Sequence, residues 1–361
     1  MKFQSWIKGG AFVALLTLPL LTAGCGLIKT SSTSQPIDPP PADTGALVDD
    51  SSVASGDNNE AVPASADVQQ PDAETMEVTL YVKDPNGYIA PISVKVPKAE
   101  SVAKETLSYM VEGGSLQGML PDGFTGILPK GTVVNNLKID SKNKLAIVDF
   151  NQAFTNYKPQ DERKLMEAVT WTLTGFPSVM QVQIQVDGKT LKEMPLEGTP
   201  MDEPLTRSIG INIEKADGVA YGQSTPVTLY FAGENGDFSY YVPVTRLITR
   251  TDNIAKATFD QLKLGPLAQS KLTPVLDTGT VLLDIQQAKD LITVNLDAMT
   301  LTDEHQVPAE AIQSVILSLT ENTGASKVQF TVKGEKQVNG TDEKQYDKPV
   351  SRPQHINPLE A

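Results

Sequence analysis

The sequence predicts an α+β protein built from two tandem copies of one module with the element order β-β-α-β-β-α-β, each a small, mostly antiparallel sheet with two helices on one face. Three observations predict it. Val78-Thr79-Leu80-Tyr81 recurs 149 residues later as Val227-Thr228-Leu229-Tyr230, and an ordered series of further matches follows at nearly the same spacing. Short runs of alternating apolar and polar residues mark strands, and apolar residues three and four apart mark helices. A stripe on each helix and an alternation on each strand are what a sheet covered on one side by helices requires.

The first module reads as follows. Residues 78–83 and 92–96 flank Asp84-Pro85-Asn86-Gly87, where proline sets φ and glycine accepts a positive φ, so they predict a hairpin. Ala103, Leu107, Met110 and Val111 share a helix face that Gly113-Gly114 ends. Residues 132–139 and 144–150 predict a second hairpin. A helix of about four turns beginning near Gln160 carries Leu165, Ala168, Val169, Thr172, Leu173 and Phe176 and stops at Gly175 and Pro177. The closing strand, 179–186, turns Val182, Ile184 and Val186 inward and Gln181, Gln183 and Gln185 to an open face.

The second module repeats these signals. Gly131-Thr132-Val133 returns as Gly279-Thr280-Val281, and Val182-Gln183-Ile184 as Val328-Gln329-Phe330; Pro204-Leu205-Thr206-Arg207 and Ile211-Asn212 return as Pro349-Val350-Ser351-Arg352 and Ile356-Asn357. Its helices carry Ala255, Phe259 and Leu262, then Ala311, Ile312, Val315, Ile316 and Leu319. The modules span 76–212 and 226–357, with 213–225 as linker and 358–361 as tail.

Ahead of the modules, Lys2 and Lys8 precede an apolar run that closes on Ala23, Gly24 and Cys25, the layout of a secretory signal over 1–24. The run contains Pro19 and is shorter than the ~20 apolar residues a membrane span needs. Cys25 is the only cysteine of the chain, so no structural disulfide is available to it. Thr22-Ala23-Gly24-Cys25 resembles the lipobox of bacterial lipoproteins, which implies a diacylglyceryl and palmitate-type anchor on Cys25, though leucine is the usual residue where Thr22 stands. Between Thr30 and Glu77 there are ten acidic residues and no Lys or Arg. That composition predicts a disordered tether over 25–75 that holds the modules away from the bilayer. The net charge of -14 argues against nucleic acid and anionic lipid as partners.

Catalytic signals are weak. The two histidines, His305 and His355, have no counterparts in the other module, and no zinc-protease, nucleophile-elbow or phosphate-loop motif is present. Gly113-Gly114-Ser115 follows a helix rather than opening one, so it reads as a cap. Adjacent pairs such as Asp161-Glu162, Asp202-Glu203 and Asp303-Glu304 project differently and do not form a cleft pair. No enzyme, cofactor or metal is expected.

Two sets of residues are candidates for interaction. Arg207 and Arg352 recur at the same point of both modules, either as anchors for a partner or as clips that hold each tail on its own module. Tyr230, Phe238, Tyr240 and Tyr241 crowd the first hairpin of the second module, where edge aromatics suit a protein partner.

The paired units resemble the GerMN domain, and the chain resembles the GerM family of sporulation and germination lipoproteins of endospore-forming bacteria. Asn86-Gly87-Tyr88, Val169-Thr170-Trp171-Thr172, Leu191-Lys192-Glu193-Met194-Pro195, Tyr240-Tyr241-Val242-Pro243 and Pro349-Val350-Ser351-Arg352-Pro353 carry the likeness. It implies modules similar to the ring-building domains of secretion systems, and a lipid-anchored, extracytoplasmic scaffold in a transenvelope complex between mother cell and forespore. The partners so implied are other envelope proteins, with cell-wall peptidoglycan as the alternative and a hydrolase as the remaining rival.

Overall fold

Among the described residues, two hairpins, the second joined by a short third strand, two mixed sheets and four α-helices make up the fold. The structure, a computed structural model, describes residues 74–298, 301–302 and 306–359. The signal, Cys25, nearly all of the tether, Asp303-Glu304 and His305 lie outside the described residues. No helix among the described residues is long and apolar enough to cross a membrane.

In repeat 1, β1 (Thr75–Lys83) and β2 (Ile89–Pro97) pair antiparallel along their whole length. The predicted turn closes them: Asp84 Oδ1 accepts the Tyr88 amide at 2.8 Å, and Gly87 takes φ +85°. Helix α1 (Val102–Ser108) is shorter than the apolar spacing predicted. Met110 is buried, but its carbonyl accepts the Leu128 amide (2.9 Å) and Val111 forms a β-bridge with Leu128. The backbone is therefore bonded laterally before another helical turn can form.

β3 (Val134–Asp140) and β4 (Leu145–Phe150) are antiparallel; α2 (Glu162–Leu173) then leads to β5 (Gln181–Val186), followed by the short β6 (Lys189–Thr190). β5 runs parallel to β4 in the order β3-β4-β5-β6. A strand returning through a helix re-enters the sheet in the same direction, which adjacent-strand periodicity does not reveal. The single sheet expected per module is thus a hairpin beside a separate mixed sheet.

Repeat 2 follows the same plan. β7 (Glu214–Lys215), β8 (Ser224–Asn235) and β9 (Phe238–Thr249) form one sheet with β9 central. After α3 (Ile254–Leu264) come β10 (Leu282–Ala288), β11 (Leu291–Leu296), α4 (Ala309–Thr323), β12 (Lys327–Val332) and β13 (Val350–Ser351). β10-β11-β12-β13 copies the other mixed sheet, including a register shift at Leu282/Asp284 that matches the one at Val134/Asn136.

The predicted stripes of α2 and α4 are buried: Leu165, Ala168, Val169 and Leu173, and Ala311, Ile312, Val315, Ile316 and Leu319. Each buried Val, Leu or Ile contributes about 1.5–3 kcal/mol. On β5 the alternation is as read, with Val182, Ile184 and Val186 buried and the glutamines half-exposed. On β12 the outer face is covered as well. Gln329 and Thr331 are buried, and Gln329 Nε2 donates to the Phe330 (2.9 Å) and Tyr346 (3.3 Å) carbonyls.

The segments read as linker and tail are built into the fold. Residues 213–225 contain β7, which runs parallel beside β9, and the start of β8. Pro358 bridges to Ser93, and the Leu359 amide donates to the Ser93 carbonyl at 2.9 Å.

Candidate functional site: the seam between the repeats

The tail of each repeat crosses to the other repeat's hairpin, and the polar residues that recur in the sequence meet along that seam. Asn212 and Asn357 both adopt the left-handed conformation, at φ +47° and +52°, which asparagine tolerates because its short side chain bonds locally. Asn212 exchanges two hydrogen bonds with the backbone of Ile89 in its own repeat and donates to the Pro243 carbonyl in the other, each at 2.8 Å. Asn357 does the same with Tyr241 of its own repeat (2.8 and 2.9 Å) and Pro91 of the other (2.7 Å). Next to them, Ile211 pairs with Thr245 through the Ile211 amide to Thr245 Oγ1 (3.0 Å) and the Thr245 amide to the Ile211 carbonyl (2.8 Å). Ile356 pairs with Ser93, whose hydroxyl both accepts from its amide (2.9 Å) and donates to its carbonyl (2.8 Å).

The two arginines complete the seam. Arg207 Nε donates to Thr174 Oγ1 (2.9 Å) at the end of α2, and its guanidinium lies 4.5 Å from the Trp171 ring centre. Arg352 Nη1 donates to Thr320 Oγ1 (2.9 Å) and the Leu317 carbonyl (2.6 Å) at the matching turn of α4. Each is the clip the recurrence allowed. Both also reach one carboxylate: Arg207 Nη1 donates to Glu321 Oε1 (3.0 Å) and Oε2 (2.8 Å), and Arg352 Nη2 to Oε2 (2.7 Å). The Tyr230 hydroxyl donates to the same carboxylate (3.2 Å) and accepts from Arg352 (2.8 Å). The Glu321 side chain is only 11% exposed.

The electrostatics follow from that count. Burial alone would raise the Glu321 pKa, but the two guanidiniums and the donated hydrogen bonds outweigh it and hold it below the usual carboxylate range. Burial would lower Arg207, yet Glu321 keeps it above its ordinary value. Tyr230 is pushed up, chiefly by burial, and stays protonated. Two cations sharing one anion make an electrostatic lock rather than an acid-base pair.

The aromatic set is not the exposed surface that crowding on a hairpin suggested. Tyr230 and Tyr240 are buried, and Phe238 and Tyr241 are half-buried. Repeat 1 covers Tyr240 and Phe238, since Tyr240 donates to Asp84 Oδ2 (2.8 Å) across the seam and meets the Phe124 ring edge-on, while Phe124 also meets Phe238; Tyr230 and Tyr241 pack against Leu317 and Ile356 of their own repeat. A hairpin that is an edge within its own module becomes an interior strand when two modules pack.

Elsewhere, Asp161 pairs with Lys83 at 3.5 Å, and Glu162 is a buried strut. The Glu162 carboxylate accepts from the Tyr157 hydroxyl, the Leu196, Glu197 and Thr199 amides and the Thr199 hydroxyl. Asp202 and Glu203 are exposed, and His355 is half-buried. Among the described residues, no group of three or more His, Cys, Asp or Glu is placed to hold a metal. An open cleft of about 280 Å³ lies between α3 and β10, where Lys256 is already paired with Asp260 at 2.6 Å.

The comparisons with known proteins follow the same division into repeats. The family Germane, described as sporulation and spore germination, matches residues 79–192 and 228–338. The chain belongs to the Germane family. It is 35% identical to the spore germination protein GerM of Bacillus subtilis (strain 168), over 97% of this chain and 98% of that one. The solved tandem GerMN domains of the sporulation protein GerM from Bacillus subtilis match with a TM-score of 0.74 and 36% identity, covering 78% of this chain and 100% of that one. Neither relative is named for an enzymatic activity. The resemblance read from the sequence is thereby established, and with it membership of a sporulation and germination family.

Sequence reasoning found the two arginines and missed the acid between them. Glu321 has no recurring counterpart: the matching position of repeat 1 is Gly175. The asparagines did recur, in Ile211-Asn212 and Ile356-Asn357, and that recurrence was the available signal.

Proposed function

We propose that this Germane protein is a lipid-anchored, extracytoplasmic assembly component of the sporulating cell, holding two interlocked modules out to other envelope proteins in the space between mother cell and forespore. The observation that carries the reading is how the recurring polar groups are used. Arg207, both asparagines and the Ser93 and Thr245 hydroxyls all join one repeat to the other, which makes a building block rather than a cleft. Each mixed sheet also ends on a long edge strand, β3 in repeat 1 and β10 in repeat 2. Open edges of this kind accept partner strands. The family and the names of the relatives support a place in sporulation and germination, and Cys25 supports the anchor.

Crosslinking with mass spectrometry in sporulating cells, comparing the intact chain with Cys25→Ser, tests anchoring and partnership separately. Specific envelope-protein partners that disappear with Cys25→Ser are the expected result. Recovery of cell wall with no protein partner would replace this reading with a peptidoglycan-binding one.

A further inference from the structure

The seam has a property that neither repeat shows alone: its tail-to-hairpin contacts come in pairs related by exchanging the repeats. Asn212 on Ile89 and Pro243 is matched by Asn357 on Tyr241 and Pro91. The Ile211 amide on Thr245 Oγ1 (3.0 Å) is matched by the Ile356 amide on Ser93 Oγ (2.9 Å). A surface whose contacts repeat under such an exchange is self-complementary, like the two-fold interface of a homodimer.

The covalent link across it is slight. Residues 217–223 hold Gly218, at φ +76°, and Gly222, and they carry no strand; a short 3-10 turn, Tyr221–Gln223, is their only regular structure. Nothing in the seam itself requires the two repeats to come from one chain. We infer that the seam can form between two copies of this protein, repeat 1 of each closing on repeat 2 of the other. The resulting dimer contains two complete seams, and only the path of 217–223 differs from the monomer. This holds whatever the partners proposed above turn out to be.

Mass action says when exchange matters. A short flexible link gives an effective concentration of roughly millimolar, so dilute chains close on themselves. Crowding on a surface shifts that balance toward exchange.

The test uses two full-length variants, Arg207→Glu and Glu321→Arg, each of which sets like charges together in its own seam. In an exchanged dimer of the two, one seam is the unaltered Arg207–Glu321–Arg352 set. In the other, the new glutamate of the first chain meets the new arginine of the second. Co-refolding the variants and weighing the product by native mass spectrometry is expected to give a mixed dimer that neither variant gives alone. Single-chain masses only, while a chain carrying both substitutions folds as a monomer, would overturn the proposal. A second measurement covers the case in which the single variants fail to fold. Isotope-labelled and unlabelled wild-type chains, refolded together up to roughly millimolar, should give dimers of mixed mass in a fraction that rises with concentration; none at any concentration overturns it.

Discussion

Repeat 1 and repeat 2 share their clips and differ in what surrounds them. Each tail arginine binds a threonine hydroxyl near the end of its own last helix, Arg207 through Nε and Arg352 through Nη1, and each tail asparagine joins equivalent strands. Repeat 2 alone supplies Glu321, where repeat 1 has Gly175, and the tail strand that runs beside its hairpin, β7, carries Glu214, which pairs with the buried Arg246 at 2.6 Å. Repeat 2 also covers the outer face of its closing strand, which repeat 1 leaves half-exposed. The duplicated contacts make the fold, and the unduplicated ones decide how the two halves are held.

Breaking the unduplicated element should have the largest effect. Glu321→Ala leaves two part-buried guanidiniums without their anion, and loss of one partner from such a set costs about 3–5 kcal/mol. Arg207→Ala should cost less, because Arg352 still neutralises Glu321. Urea unfolding of both variants checks the order, and equal losses would mean that Arg352 does nothing to hold Glu321 once Arg207 is gone. Normal stability of Arg207→Ala with lost function in cells would instead restore the arginine as a partner anchor.

The duplicated elements should respond alike. Asn212→Ala and Asn357→Ala each remove three hydrogen bonds and should each cost about 2–3 kcal/mol at roughly 1 kcal/mol per bond. A measured difference well above 1 kcal/mol would show that the two crossings are not energetically equivalent.

Acid should weaken the lock. Because the folded pKa of Glu321 lies below its unfolded value, its stabilisation is fully present above the unfolded value of about 4.3 and is lost as pH falls through the folded one. Asp84 and Glu167 have the opposite sign, since burial raises both, and they oppose the loss as they take up protons. Thermal melts between about pH 3 and 6 should therefore show a steeper acid limb in the wild type than in Glu321→Gln, bracketing the ordinary carboxylate range.

The smallest effect sharpens the contrast between the closing strands. Gln183→Ala should change stability by under about 0.5 kcal/mol, as for an exposed site. Gln329→Ala, at the matching position, leaves the Tyr346 carbonyl without its donor and should cost about 1–3 kcal/mol.

The sequence by itself determined the two repeats, the order of their elements and the buried faces of α2, α4 and β5, because periodicity is a local consequence of backbone geometry. It also marked Arg207 and Arg352, because duplication writes the same residue twice. Only the tertiary structure decided that β5 lies parallel to β4, that the start of the supposed linker pairs as a short strand beside β9, and that Tyr230 and Tyr240 are interior. It alone brought a non-recurring glutamate between the recurring arginines. Those outcomes depend on which surfaces meet, and the packing of one module on another leaves no periodic trace in the chain.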